Sequence, residues 1–412
     1  MHPNPRIFLS AGEASGDHYG AQLIHALRGA LPKATFTGLG GTEMETAGQQ
    51  RIVHAEDVAV MGITEILRHI PHIYASYRKL VRSIRSERPD VAVLIDFPDV
   101  NFRLAKHLKR LGVPVVWFVS PQLWAWKRSR LRWVQQRVSK MMVIFPFEEP
   151  FYKARGVDAT FVGHPLAELP LPTISRETYA AQHSLDLSAQ WIALLPGSRA
   201  KELSANLPEM LTAASELTHE ADTRYQFLLP VAPTLKGEFA MQVIQQWQEA
   251  NRSSNQKAAI TLVDDARDAL HHARASVVAS GTATVQAAIM GNPFLIVYRV
   301  SKTTFRLAKR LVRYPVEIPT PLDEHSNLPI GMVNLIAGRR IVPELLQEAF
   351  TAKEIVRYLK PLLDNSLDRQ QQVTDLAALR QSLQPLPGSN AIARVRDAVL
   401  AELDSAHLKP VA

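Results

Sequence analysis

The sequence predicts an α/β protein built from two Rossmann-like, doubly wound parallel-sheet domains and a helical C-terminal segment. Short continuous apolar runs, such as Val91–Ile95 and Ala275–Ala279, stand between turn residues. That is the pattern of strands buried on both faces of a parallel sheet. These runs alternate with helical stretches, which implies right-handed βαβ units. The alternation lapses at Leu169-Pro170-Leu171-Pro172 and restarts near Trp191, as it would across a linker between two similar halves. The domains read as residues 1–170 and 171–365, with the helical segment over 366–412.

Each element has its own signal. Arg6–Ser10 is an apolar strand, followed by a glycine-containing loop and a periodic helix to about Leu31. Ala34–Leu39, Val91–Ile95, Val113–Val119 and Met141–Phe145 continue the first sheet. Trp191–Leu195, Tyr225–Pro230, Ala259–Val263, Ala275–Ala279 and Pro293–Tyr298 supply the second. The final fifty or so residues carry helical patterns only. Two halves of this kind place a cleft between them. In such sheets ligands bind beyond the carboxyl ends of the strands.

Bulk properties narrow the chemistry. There is no cysteine, so disulfide scaffolds, thiolate metal sites and cysteine nucleophiles are excluded. The first apolar run is too short for a signal-peptide core and no run approaches a spanning helix, so a cytoplasmic location is expected. The net charge is +8. It gathers at Lys127, Arg128, Arg130, Arg132, Arg137 and Lys140, and again at Arg299, Lys302, Arg306, Lys309, Arg310 and Arg313, which favours anionic partners or simply a solvated surface.

Four loops carry candidate chemistry. Ala11–Asp17 contains Glu13, Ser15 and Asp17 between two glycines. It is neither a dinucleotide fingerprint nor a P-loop, and its acids suit hydroxyl recognition. Ser15 and Asp17 also fit helix capping. Asp96 follows a buried strand, where partial burial would raise its pKa and make it a general base. Asp99 fits a cap. Ser198 and Arg199 follow Trp191–Leu195, and Ser280, Gly281 and Thr282 follow Ala275–Ala279. A guanidinium and a helix N-terminus are phosphate-binding groups, and the pair suits a diphosphate. No H-E-x-x-H and no Asp-x-Asp is present, so no metal and no cofactor are expected.

Together these loops resemble those of the lipid-A-disaccharide synthases, GT-B glycosyltransferases. The matching segments are Ser10–Asp17, Val58–Glu65, Ile95–Asn101, Val119–Trp126, Leu194–Arg199, Ser280–Thr284, Tyr298-Arg299 and Asn334–Gln347, in family order. The resemblance implies a GT-B fold and an inverting transfer from UDP-2,3-diacylglucosamine to 2,3-diacylglucosamine 1-phosphate (lipid X). It implies Asp96 as the base, with Glu13 the other catalytic candidate. Ser15 and Asp17 would line the sugar side, Arg199 would meet the diphosphate, and Asn334 and Gln347 would help hold donor or UDP. Gln286 stands where the family usually has a glutamate for the ribose hydroxyls. Its amide can still accept one hydrogen bond and donate another. Glu317–Gly331 is a polar insertion relative to the family, read as a surface loop rather than a lid.

Acylated substrates imply peripheral contact with the cytoplasmic face of the inner membrane. Two surfaces are candidates. One is the amphipathic stretch 63–85, with Ile63, Ile66, Leu67, Ile70, Ile73, Tyr74, Tyr77, Leu80, Val81 and Ile84 beside Arg68, Arg78, Lys79, Arg82 and Arg85, in which Pro71 should kink or split the helix. A core-facing helix would show the same pattern. The other is the group Trp124, Trp126 and Trp133. No nucleic-acid-reading motif is present. The C-terminal segment suits a crossing back to the first domain or an exchange within a homodimer, and the sequence does not choose. Alternative readings are UDP-N-acetylglucosamine 2-epimerase, another UDP-amino-sugar transferase, or a phosphate- or RNA-binding protein.

Overall fold

The computed structural model describes residues 4–58, 63–220, 223–232, 235, 237–251, 258–385 and 388–407. It divides into two compact units, residues 1–168 with 383–412, and residues 169–382.

The first unit holds β1 (Arg6–Ala11), β2 (Thr35–Gly40), β3 (Gln49–His54), β4 (Val91–Ile95), β5 (Val115–Phe118), β6 (Lys140–Val143) and β7 (Ala159–Phe161). All pairings are parallel, in the order β3-β2-β1-β4-β5-β6-β7. The second unit holds β8 (Gln190–Leu195), β9 (Tyr225–Pro230), β10 (Ala259–Val263), β11 (Ala275–Ala279), β12 (Phe294–Tyr298) and β13 (Glu344–Leu346), also parallel, in the order β10-β9-β8-β11-β12-β13. Two doubly wound sheets are what the alternation predicts. Strand order reverses between β1 and β4 in one unit and between β8 and β11 in the other. Those reversals open crevices at the carboxyl ends of the strands.

Three strands, β3, β7 and β13, have no counterpart in the sequence reading. All lie at sheet edges. The last two have three residues each, and β3 is only partly buried. An edge strand needs no continuous apolar run, because one of its sides is unpaired and less covered.

The C-terminal helices are shared between the units. The helix Leu367–Leu383 packs on the second sheet, where the Gln372 amide accepts from Phe294 N–H at 2.8 Å and donates to Phe294 C=O at 3.2 Å. The helix Ala391–His407 closes the core of the first unit, burying Ala391, Val395 and Val399 with Leu23, Ile24 and Leu27. The Glu168 carboxylate accepts the Ala391 N–H at 2.7 Å, a favourable place for a negative charge at a helix N-terminus.

The helix Ile63–Ser86 runs unbroken past Pro71, so the proline does not split it. Leu80, Val81 and Ile84 are buried, so the C-terminal part of this amphipathic face packs on the core. Residues 59–62 and the side chains at Ile63, Ile66, Leu67 and Ile70 lie outside the described residues. The 317–331 stretch is an internally bonded loop. Asp323 Oδ1 accepts from Asn327 N–H at 2.7 Å and His325 N–H at 2.9 Å, and Tyr314 donates to Pro329 C=O at 2.9 Å.

Asp17 requires a correction to its expected place on the sugar side. It is buried. Its Oδ1 accepts from Gly41 N–H at 2.7 Å and Met44 N–H at 3.2 Å, and its Oδ2 from Glu43 N–H at 3.0 Å. It therefore caps the helix Thr42–Thr46, whose own N-cap residue, Gly41, has no side chain to do so. A Cβ at Gly41 would collide with this carboxylate. Replacing Asp17 with Ala strips a charged acceptor from three backbone donors, and urea unfolding should register a loss of about 2 kcal/mol, or slightly more. Unchanged stability would show that the cap contributes nothing.

Candidate functional site

In the first unit, β1 and β4 are neighbours at the reversal, with Ala11 paired to Ile95. Their following loops, 12–13 and 96–97, are thereby brought together. Asp96 and Phe97 both adopt left-handed backbone, with φ of 43° and 49°, which costs of order 1 kcal/mol or more for residues with a Cβ. The buried Asn101 holds them. Its Nδ2 donates to Asp96 C=O at 2.7 Å and lies 3.3 Å from Ile95 and Ser10 C=O, while its Oδ1 accepts from Ser10 Oγ at 2.6 Å. Pro98 starts the next helix, Pro98–Arg110. Gly12 lies under Phe97: a Cβ there would stand 2.5 Å from the ring.

The Asp96 carboxyl is pushed up from 3.8 to about 6 by burial, then by the charge of Glu13, against a hydrogen bond from Phe97 N–H. Glu13 itself is exposed and N-caps the helix Ala14–Ala30 without a side-chain bond. Ser15 is exposed on the first turn of that helix. Glu13, Ser15 and Asp96 thus share one end of the sheet, and Asp17 points away to its cap. Asp99 forms no cap and pairs with Arg130 at 2.7 Å.

The next loop of this unit is organised by a residue the sequence reading missed. Glu148 is buried and accepts from Ser120 Oγ at 2.5 Å, Trp124 Nε1 at 3.1 Å and Phe145 N–H at 3.1 Å. Burial raises its carboxyl to about 7, against those hydrogen bonds. Trp124 is therefore core and not an interfacial anchor. Trp133 is half-buried, edge-on to Phe102. Of the three tryptophans only Trp126 is largely exposed, with Lys127 over its ring at 4.2 Å.

In the second unit, β8 and β11 are neighbours at the reversal, which places Gly197–Arg199 and Ser280–Thr282 at one edge. Arg199 is 75% exposed and pairs with Glu202 at 3.1 Å. Glu202 also accepts from Ser198 N–H at 3.2 Å. It lies on the first turn of the helix Ala200–Glu220, and an acid at this position is a legible signal. A solvent-exposed pair of this kind is worth little, so Arg199 can exchange it for a phosphate. Asn206 Nδ2 donates to Pro196 C=O at 2.8 Å and steadies the loop from beneath.

The helix Thr282–Met290 starts at Gly281, which offers no side-chain cap. Gly281 and Thr282 are exposed, Ser280 is half-buried, and Gln286 is half-buried on the second turn. Backbone N–H groups at such a start, with the macrodipole behind them, suit an anion. Gln347 has φ of 55° and is buried. Its Oε1 accepts from Val300 N–H at 3.3 Å, and its Nε2 has no partner among the described residues.

Asn334 is a second correction. It is fully buried, and its Oδ1 accepts from Ile341 and Val342 N–H at 2.8 and 3.0 Å. Its Nδ2 donates to Val342 C=O and Glu344 Oε1, both at 2.8 Å. An amide has four such positions, and all are used within the unit. Asn334 shapes the turn into β13 and has no capacity left for donor or UDP.

The family model described as lipid-A-disaccharide synthetase matches residues 7–393. The lipid-A-disaccharide synthase of Acidobacterium capsulatum is 54% identical over 400 residues, 96% of either chain. That of Koribacter versatilis is 45% identical over 381 residues, 92% of this chain and 93% of its own. Among solved structures, the kitacinnamycin glycosyltransferase aligns with a TM-score of 0.60 at 13% identity, over 97% of this chain and 99% of its own. The UDP-GlcNAc 2-epimerase from Neisseria meningitidis aligns with a TM-score of 0.53 at 11% identity, over 98% and 100%. These structures share the GT-B fold alone, and since one is a transferase and the other an epimerase, the fold does not choose between the chemistries. The extended sequence match does, and the chain belongs to the lipid-A-disaccharide synthase family.

Proposed function

We propose that this protein joins UDP-2,3-diacylglucosamine to lipid X and releases UDP, with Asp96 as the general base. The observation that carries the assignment is Asp96 itself. It is a carboxylate with a raised pKa, at the strand reversal, on a backbone held in a costly conformation by Asn101. Strain of that kind persists where the surroundings over-determine it.

The step is an inverting displacement. The acceptor 6-oxygen bonds to the anomeric carbon as the bond from that carbon to the UDP oxygen breaks. The acceptor proton passes to Asp96, and UDP leaves with the electron pair. Glu13 keeps the base from being too weak, because its charge raises the Asp96 pKa. Charge growing on UDP is met by Arg199, released from Glu202, and by the helix start at Gly281-Thr282. Ser198 and Ser280 flank those groups. Gln347 Nε2, a buried donor without a partner among the described residues, suits an acceptor oxygen of the nucleotide or sugar, and Gln286 a ribose hydroxyl. Ser15 suits the acceptor sugar.

Contact with a membrane surface is part of the same proposal. Among the described residues no helix is long and apolar enough to cross a bilayer. The helix Lys302–Leu311 buries none of its residues. Leu307 and Leu311 are more than half exposed on it, one turn apart, among Arg306, Lys309 and Arg310. A basic amphipathic helix of this kind lies in the bilayer interface.

Four outcomes are expected. Asp96→Asn should lower kcat by roughly 10²–10⁴-fold in an assay of UDP release with and without lipid X. Full activity in this variant rejects the base, and conversion of the donor without acceptor supports the epimerase reading. Activity of the wild type should fall as pH drops through about 6, because the base works only when ionised. Glu13→Gln removes the neighbouring charge and should move that acid limb to lower pH; a limb that stays in place would detach Glu13 from the site. Leu307→Ser with Leu311→Ser should weaken sedimentation with anionic vesicles, whereas binding equal to wild type would remove this helix from the membrane contact.

A further inference from the structure

The loop that follows β5 is fixed at more points than a surface connection needs. It leaves the sheet beside Asp96: Ile95 pairs with Phe118, and Asp96 N–H donates to Phe118 C=O at 3.0 Å. Its first residue, Val119, has φ of 62°, a left-handed backbone that a β-branched residue adopts only when its surroundings impose it. Trp117 Nε1 donates to Val119 C=O at 3.1 Å, and Val119 N–H to Met142 C=O at 3.1 Å. From beneath, one face of the helix Glu148–Lys153 clamps residues 120–124. Glu148 takes the Ser120 hydroxyl and the Trp124 indole N–H on Oε1, and Tyr152, one turn further on, donates to Pro121 C=O at 3.2 Å. Beyond the loop, Arg130 ties the chain back to Asp99, on the first turn of the helix that follows Asp96.

We propose that Glu148 is a positioning residue for the transfer, setting the loop Ser120–Trp126 as the wall that receives the acceptor sugar beside Asp96. The sheet order places this loop on the other side of Asp96 from Glu13. A carboxyl only 1% exposed is costly to bury, and a leucine would fill the same volume at no such cost. What an apolar side chain cannot do is accept from Ser120, Trp124 and Phe145 N–H together, and so fix this loop against the one that follows β6. With Ser120, Leu123 and Trp124 drawn inward and buried, Gln122 and Trp126 are left exposed. An amide and an indole N–H are groups that meet sugar hydroxyls. A clamped loop carries them at fixed positions, and an acceptor hydroxyl presented slightly off line loses rate steeply. Glu148 itself touches no substrate and acts through Ser120 and Trp124. The inference rests on the transfer to lipid X proposed above.

The test is kinetic and uses the full chain, with equilibrium binding of lipid X measured beside turnover. Glu148→Leu removes every acceptor and should lower kcat/KM for lipid X by roughly tenfold to a hundredfold. KM for UDP-2,3-diacylglucosamine, assigned to the second unit, should stay at the wild-type value. Glu148→Gln keeps one oxygen for Ser120 and Trp124 and should recover most of the loss. Ser120→Ala and Trp124→Phe each remove one donor, and each should raise KM for lipid X several-fold in a folded protein. These two variants decide the question if the leucine variant does not fold. An equal loss for both substrates overturns the proposal, because a purely architectural residue affects donor and acceptor alike. Wild-type use and binding of lipid X by the variants also overturns it. Absence of transfer in the wild type would strike the catalytic reading, and lipid X binding by the same variants would still decide the role of Glu148. A wild type that neither transfers nor binds lipid X removes both.

Discussion

Strands buried on both faces leave a parallel sheet few places to do chemistry, and the sites follow from that constraint. β4 and β11 are buried at every position, so their side chains are committed to packing. Polar function is displaced to the loops at their carboxyl ends. Where the strand order reverses, two such loops leave in opposite directions and a crevice opens. Asp96 and Glu13 meet at one reversal, and Arg199 and the Thr282 helix start stand at the other.

At the first reversal, position is maintained against local preference. Asp96 and Phe97 take left-handed backbone that neither favours. The compensation is a buried asparagine, reaching three carbonyl oxygens and a serine hydroxyl. The carboxylate so held is partly desolvated and faces Glu13, and both effects favour its protonated form. Burial and a like charge thereby bring the pKa of the proposed base toward neutrality. At the second reversal the groups are loosely held: Arg199 is exposed and engaged only with Glu202. An exposed pair of this kind costs little to open.

Asp17 and Asn334 illustrate the opposite fate of polar residues in the same loops. Both stand in segments that match the family, and both are spent on the backbone. Asp17 serves three N–H groups of a helix that begins at a glycine. Asn334 serves two N–H groups and two acceptors at the turn into an edge strand. Motif membership marks such residues as needed, and only their hydrogen-bond partners reveal whether the need is architectural. Trp124 follows the same logic, since an indole beside a basic cluster becomes core once Glu148 accepts its N–H.

The sequence by itself determined the two sheets, their central strands and the loops that bear the chemistry, because continuous apolar runs and turn residues are local signals of burial. It singled out Asp96, Arg199 and the Gly281 helix start as candidates for the same reason: each follows such a run. Tertiary structure decided what depends on neighbours remote in the chain. The edge strands β3, β7 and β13 exist through pairing, not through their own hydrophobicity. Residues 366–412 read as one helical tail, yet one helix packs on the second sheet and the other on the first. Asn101 and Glu148 gained their roles only when folding set them beside Ser10 and Trp124, since a hydrogen bond is specified by a partner's position, which no short stretch of sequence contains.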